Sequence, residues 1–149
     1  MKIKFVILGC GSSLGVPRAD GNWGKCNPKE KKNYRTRCSV LIKSKIKNIL
    51  IDTSPDLRHQ LIKNKITNID LVIYSHMHGD QVHGINDLRI FSLKKNKKLP
   101  VFADQLTKKY LDLVNEVISH ACDGINFYNE HGINKSMNNF NKRNNENGK

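Results

Sequence analysis

The sequence lacks the features of several protein classes. No run of about 18 apolar residues occurs among its 149 residues, so no transmembrane helix and no membrane partner are expected. Its four cysteines, at positions 10, 26, 38 and 122, form no C-x-x-C pair, which argues against a zinc ribbon and a thioredoxin motif. Aromatic residues make up only 7% and form no cluster on which nucleic-acid bases could stack. Internal repeats are absent as well.

Acidic residues are also scarce. The sequence has 13 Asp and Glu residues and 26 Lys and Arg residues, which gives a formal net charge of +13. Such a balance favours anionic substrates or polyanionic partners, although lysine scattered through an asparagine-rich chain is equally typical of drift in base composition. The basic start and short apolar run of the N-terminus lack the long apolar region and cleavage site of a signal peptide. A cytoplasmic location is therefore expected, with the cysteines as free thiols.

The apolar pattern predicts an α/β domain. Strands are expected over 3–8, 38–42, 47–52, 69–74 and 99–102, and a long polar loop over 18–37. Helices are expected from Pro55 to about Asn64, after Gly84, and after Asp104, which is placed as an N-cap. Six of the last twelve residues are asparagine, and no apolar period is visible beyond about 120. We therefore predict a domain over 1–119 and a disordered tail over 120–149.

One segment combines metal-ligand residue types at a useful spacing. His76, His78 and Asp80 follow a buried strand at alternate positions, and Gly84 follows four residues after Asp80. Alternate residues of an extended chain face one side, so three ligands could converge at the end of the sheet. Imidazole nitrogen with carboxylate oxygen suits Zn²⁺, and also Mn²⁺. A bound metal would activate water for hydrolysis.

The segment resembles the H-x-H-x-D-H-x-x-G signature of the metallo-β-lactamase superfamily. The resemblance implies that His76 and His78 bind a first metal, and that Asp80 binds a second metal or orients the attacking water. Asp52, in Leu50-Ile-Asp52-Thr-Ser54, matches an aspartate that organises the metal loop by hydrogen bonds. The glycine-rich loop over 9–17 is similar to one branch, the phosphoribosyl 1,2-cyclic phosphate phosphodiesterases, which are related to the tRNA 3′-processing endonucleases. The resemblance covers residues 1 to about 110.

The chain also departs from that pattern. Gln81 stands where the family has a second-metal histidine, so one or two ions are expected, with the second site disfavoured. Asn129-Glu-His131-Gly132 resembles the third-histidine motif, which makes His131 a candidate ligand of the first metal. No histidine or aspartate follows it. The resemblance implies an αββα sandwich, of which this chain would form a partial one, the N-terminal half, with a mixed β-sheet flanked by helices. We expect a truncated product with an exposed apolar sheet face that favours self-association.

These observations predict a metal-dependent hydrolase, acting on a small phosphodiester or another anionic substrate. Basic side chains of the long loop are expected to contact phosphate; they are Arg18, Lys25, Arg35 and Arg37. Two alternatives stay open. One is an inactive remnant of such an enzyme, and the other is a basic nucleic-acid-binding module, which the charge supports but no recognised motif does. Cys38 is expected to be a small core residue, and no structural zinc is expected at the cysteines.

Overall fold

The structure is a computed structural model that describes residues 2–140, without the side chains of 115, 117–122, 124, 138 and 140. The chain divides into two compact units, Met1–Lys108 and Lys109–Lys149. The first unit is built on a five-stranded sheet in the order β1-β2-β3-β4-β5. Its strands are β1 (Lys4–Gly9), β2 (Ser39–Lys43), β3 (Asn48–Ile51), β4 (Leu71–Ile73) and β5 (Val101–Phe102).

The sheet is mixed, as the sequence predicts. Neighbours β1, β2 and β3 run antiparallel, whereas β3, β4 and β5 run parallel. The helices of the first unit are α1 (Leu57–Lys63), α2 (Gly79–Val82) and α3 (Arg89–Lys95), with short 3₁₀ turns over Lys31–Asn33 and Ile85–Leu88. All five predicted strands and the helices after Pro55 and Gly84 are confirmed, while α2 is an addition.

The core lies on one face of this sheet. Leu41, Leu50 and Val72 form one cross-strand row through the registered pairs and are 1%, 0% and 0% exposed. Buried apolar residues of α1, α2 and α3 complete the core, namely Leu57, Leu61, Val82 and Phe91. Burying such side chains contributes about 1.5–3 kcal/mol each.

The opposite face of the sheet is apolar as well. One registered row contains Ile7, Val40, Ile51, Ile73 and Phe102, and a second contains Phe5, Ile42, Ile49 and Leu71. Phe5 and Ile7 are 68% and 67% exposed. An alternating strand with one solvated face would place polar residues there. The structure therefore contains the exposed apolar sheet face that the sequence predicts.

The second unit is helical. Helix α4 (Gln105–His131) crosses the boundary between the units, and α5 (Ile133–Phe140) follows it. The predicted N-cap is confirmed, because the Thr107 backbone N–H donates to Asp104 Oδ1 at 2.9 Å. The end of helix α4 and all of α5 lie in the region where the sequence predicts a disordered tail over 120–149, and residues 141–149 lie outside the described residues. The predicted domain boundary at 119 stays a prediction. No helix in the described part of the chain is long and apolar enough to cross a membrane.

Candidate metal centre

The ends of β1, β3, β4 and β5 and the start of β2 all lie at one edge of the sheet. Because β3, β4 and β5 are parallel, the segments that follow them meet there, and antiparallel pairing brings the end of β1 and the start of β2 to the same edge. Asp52 follows β3, Ser75 and His76 follow β4, and Asp104 follows β5. The chemistry-bearing residues of the sequence motif are therefore brought to a single edge by topology.

His76 and His78 are close together. His76 Nε2 lies 3.1 Å from His78 Nδ1, and the two rings meet edge to face with centroids 4.6 Å apart. Two nitrogens bound at about 2.0–2.1 Å to a tetrahedral zinc are about 3.3 Å apart. The distance between these two nitrogens is therefore close to the one that a shared metal ion requires. Among the described residues, no group of three His, Cys, Asp or Glu is arranged to hold a metal.

The orientation of His76 is set by its neighbours. Ser75 Oγ donates its single hydrogen to Asp52 Oδ2 at 2.8 Å and lies 2.9 Å from His76 Nδ1. Because that hydrogen is used, His76 Nδ1 must be the donor to Ser75 Oγ, which leaves the lone pair on Nε2. The Ser75 backbone N–H donates to Asp52 Oδ1 at 2.7 Å. Asp52 thus organises the loop by hydrogen bonds, as the resemblance predicts, and these bonds fix the tautomer of His76.

Thr53 ties the end of β3 to helix α2. Its backbone N–H donates to the Gln81 carbonyl at 2.6 Å, and its carbonyl accepts from the Gly84 N–H at 2.9 Å. Its buried hydroxyl lies 2.9 Å from Tyr74 Oη, and burial raises the pKa of Tyr74 to about 12. Two backbone hydrogen bonds therefore hold the segment that contains Gln81 and Gly84 against the end of β3.

The surroundings of Gly84 show why the last position of the motif is a glycine. A Cβ atom at this residue would lie 2.1 Å from the Ser54 carbonyl oxygen and 3.0 Å from Leu57 Cβ. Only glycine allows the loop after α2 to approach the segment after β3 so closely.

Asp80 and Gln81 stand next to each other at the start of α2. With the buried Gln81 carboxamide turned so that its nitrogen faces the carboxylate, Nε2 donates to Asp80 Oδ1 and Oδ2 at 2.7 and 3.0 Å. This orientation satisfies both groups. The residue that departs from the family signature therefore contacts the carboxylate that the signature assigns to the metal centre.

Asp104 adds a carboxylate that the sequence places only as a helix cap. Hydrogen bonds from Thr107 hold the pKa of Asp104 below its ordinary value, and the charge of His76 contributes in the same direction. Its position after β5 was predictable, but its electrostatic interaction with His76 was not, because that depends on the parallel pairing of β4 with β5.

Two of the arginines that the sequence predicts as phosphate contacts have partners within the protein, and their contact with phosphate stays a prediction. The Arg37 guanidinium is paired with Asp56, with Nε 3.1 Å from Oδ2, so this arginine holds the loop to α1. Arg35 donates from Nη1 to Cys10 Sγ at 3.0 Å.

The expectation that Cys38 is a core residue is wrong: Cys38 is exposed, because it precedes β2 at the sheet edge. Its pKa is raised by desolvation and by the nearby Cys10, Asp80 and Asp52.

His131 is the last residue of α4, in the second unit. Its ring meets Phe127 edge to face at 4.3 Å, and Nε2 lies 3.7 Å from a Glu130 carboxylate oxygen. Its role as a third metal ligand stays a prediction.

Comparisons with known proteins agree with this geometry. The family model described as the beta-lactamase superfamily domain matches residues 47–135, which include the whole metal motif. The chain therefore belongs to the β-lactamase superfamily, and its mixed sheet with flanking helices has the metallo-β-lactamase fold.

Particular relatives are similar over most of this chain but extend well beyond it. A diphosphatase of the PhnP family is 32% identical with a TM-score of 0.72, over 78% of this chain and 47% of that one. The human short-form tRNase Z is 17% identical with a TM-score of 0.57, over 79% and 41%. An octanoyltransferase of Porphyromonas gingivalis is 38% identical over 69% of this chain and 21% of its own length. The chain thus spans about half of the solved relatives and a fifth of the curated one.

Proposed function

We propose that this chain carries the first metal-binding half of a metal-dependent hydrolase that acts on phosphodiesters. The observation that supports this most directly is the distance of 3.1 Å between His76 Nε2 and His78 Nδ1, with the His76 tautomer fixed through Ser75. A Zn²⁺ or Mn²⁺ ion held by these nitrogens would lower the pKa of a bound water and polarise the phosphoryl oxygen.

Other residues of the chain would orient the ligand, accept a proton and bind the substrate. Asp52 and Ser75 hold the Nδ1 side of the His76 ring, which leaves Nε2 for the metal. Asp80, whose carboxylate is aligned by Gln81, is the group that accepts a proton from the attacking water. Positive charge for binding an anionic phosphodiester comes from the long loop over 18–37, through Arg18, Lys25 and Arg35.

The phosphodiester class rests on two observations. The solved relative with 32% identity is a diphosphatase, so a relative with the same sheet acts on a phosphate-containing substrate. The net charge of +13 favours an anionic substrate over a neutral one. The octanoyltransferase match covers 21% of that protein, so its name does not assign an acyl substrate to the matched segment.

The first experiment measures metal per chain by elemental mass spectrometry after reconstitution with Zn²⁺ or Mn²⁺. We expect at least one equivalent in the wild type and none in the His76→Ala/His78→Ala variant. His59→Ala is the matched control, because His59 is exposed on α1, away from the motif. His131→Ala in the same series tests the predicted third ligand. No bound metal in the wild type would overturn the proposal and favour an inactive remnant.

The second experiment assays the loaded protein on bis(p-nitrophenyl) phosphate, with p-nitrophenyl phosphate and a p-nitrophenyl ester as alternatives. We expect hydrolysis of the diester to exceed that of the monoester and of the carboxylic ester. Metal binding with turnover of the carboxylic ester alone would retain the metal centre and reject the phosphodiester class.

A further inference from the structure

The sheet edge also carries two cysteines. Cys10 follows the last residue of β1, and Cys38 precedes the first residue of β2. Gly9 pairs with Ser39 in the antiparallel ladder, after a register shift, and Gly11 forms an isolated parallel bridge with Arg37. Cys10 and Cys38 therefore lie between two paired positions, one on each segment.

This bracketing keeps the two backbones close. The Gly11 N–H donates to the Thr36 carbonyl at 2.7 Å, and a Cβ at Gly9 would lie 2.0 Å from the Arg37 carbonyl oxygen. Besides desolvation, Cys10 also contributes to the raised pKa of the Cys38 thiol, so the two side chains are neighbours. A disulfide needs Cα atoms about 4.4–6.8 Å apart, a separation that two backbones held this closely allow.

The side chains are suitably placed for reaction. Both thiols are free and exposed. Cys38 Sγ lies 3.1 Å from the Gly11 carbonyl oxygen, so this side chain is directed toward the segment that contains Cys10. Arg35 Nη1 lies 3.0 Å from Cys10 Sγ, so a positively charged group adjoins this sulfur.

We propose that Cys10 and Cys38 are a redox-active pair that closes to an intramolecular disulfide on reaction with a small disulfide such as glutathione disulfide. The Cys10 thiolate attacks one sulfur of glutathione disulfide, which forms a mixed disulfide and releases one glutathione thiolate. The Cys38 thiolate then attacks Cys10 Sγ and releases the second glutathione. The protein loses two electrons and two protons, and two glutathione thiols form. This modification site does not rest on the proposed function.

The sequence makes the product easy to identify. Cleavage after Lys and Arg places each cysteine in its own peptide, namely 5–18, 26–29, 38–43 and 110–135. The full-length chain is equilibrated in glutathione buffers of increasing oxidised fraction, its free thiols are alkylated, and its peptides are mapped without reduction. We expect the linked pair 5–18 with 38–43 to become the main form, and dithiothreitol to reverse it.

Variants separate this pair from general thiol oxidation. Cys26→Ser/Cys122→Ser should form the same linked peptide, whereas Cys10→Ser and Cys38→Ser should each abolish it and leave the remaining thiol glutathionylated. The proposal is overturned by alkylation of all four cysteines to the same extent, by pairing with Cys26 or Cys122 at comparable yield, or by disulfide-linked dimers. It is also overturned if the link forms only in denaturant.

Discussion

Asp52 and Ser75 are joined by two hydrogen bonds, one from the Ser75 backbone N–H to Oδ1 and one from its hydroxyl to Oδ2, at 2.7 and 2.8 Å. The two residues follow neighbouring parallel strands, so this contact links the end of β3 to the segment that carries both histidines. The carboxylate accepts both bonds at once. An amide in the same place could accept only one.

Asp52→Asn should therefore weaken metal binding without breaking the fold. Asparagine tolerates the φ of +59° at this position, so the backbone is retained while the negative charge and one acceptor oxygen are lost. We expect the Kd for Zn²⁺, measured by competition with a chelator, to rise by roughly 10- to 100-fold. Asp20→Asn, in an exposed turn, is the control. An unchanged Kd would show that Asp52 has no influence on the ligand geometry.

Gly84→Ala should destabilise the first unit. The added methyl would overlap the Ser54 carbonyl, so we expect a loss of about 2–3 kcal/mol in the free energy of unfolding by urea. Gly21→Ala is the matched control, because Gly21 has a φ of +82° with no atom within 4 Å of its Cβ position. Backbone strain alone should cost it about 1–2 kcal/mol. Similar losses in both variants would argue against the close approach at Gly84.

Gln81→Met should slow hydrolysis without changing the amount of metal bound. Methionine fills a similar buried volume but cannot donate to Asp80, while the Gln81 backbone carbonyl still accepts from Thr53. We expect unchanged metal content and a roughly 10- to 100-fold slower hydrolysis of bis(p-nitrophenyl) phosphate. If metal content falls instead, Gln81 supports the histidine ligands rather than Asp80.

Asp70 should control stability in acid. Burial would raise its pKa, but hydrogen bonds from Lys95 and from the Asn48 backbone outweigh this and lower the pKa to about 2. A lowered folded-state pKa contributes stability that is present above the unfolded value, about 3.9, and is lost as the pH falls toward 2.

Asp70→Asn should remove this contribution. The variant should be less stable than the wild type at pH 7, and the difference should shrink between pH 4 and pH 2, as measured by thermal unfolding across that range. A constant difference over these pH values would mean that the Lys95–Asp70 ion pair contributes nothing.

Phe5→Thr/Ile7→Thr should improve solution behaviour at little cost. Both side chains are exposed on the outer sheet face, and threonine is compatible with a strand. We expect weaker binding of a hydrophobic dye, slower self-association by sedimentation, and a change in unfolding free energy within about 0.5 kcal/mol per site. Leu41→Ala, on the buried face, should instead cost about 2–5 kcal/mol. Undiminished self-association would place the interacting surface elsewhere.

The sequence predicts the strands and the metal motif because these depend on local patterns. Alternating apolar residues mark β1 to β3, and the spacing of His76, His78 and Asp80 marks the site. Other contacts depend on tertiary pairing. Ser75 has no recognisable signal, because its role arises from the parallel register of β3 and β4. Cys38 resembles a core strand residue in sequence, yet it lies one residue before the strand begins, at the exposed edge.

The arrangement of strand ends has a consequence for how this protein can change over time. Leu41, Leu50 and Val72 support the fold from within the strands, whereas Asp52, His76 and Cys38 lie just beyond strand ends. A substitution at the edge can alter a ligand, a proton acceptor or a thiol while the apolar rows stay intact. New chemistry can therefore be acquired here without first acquiring a new fold.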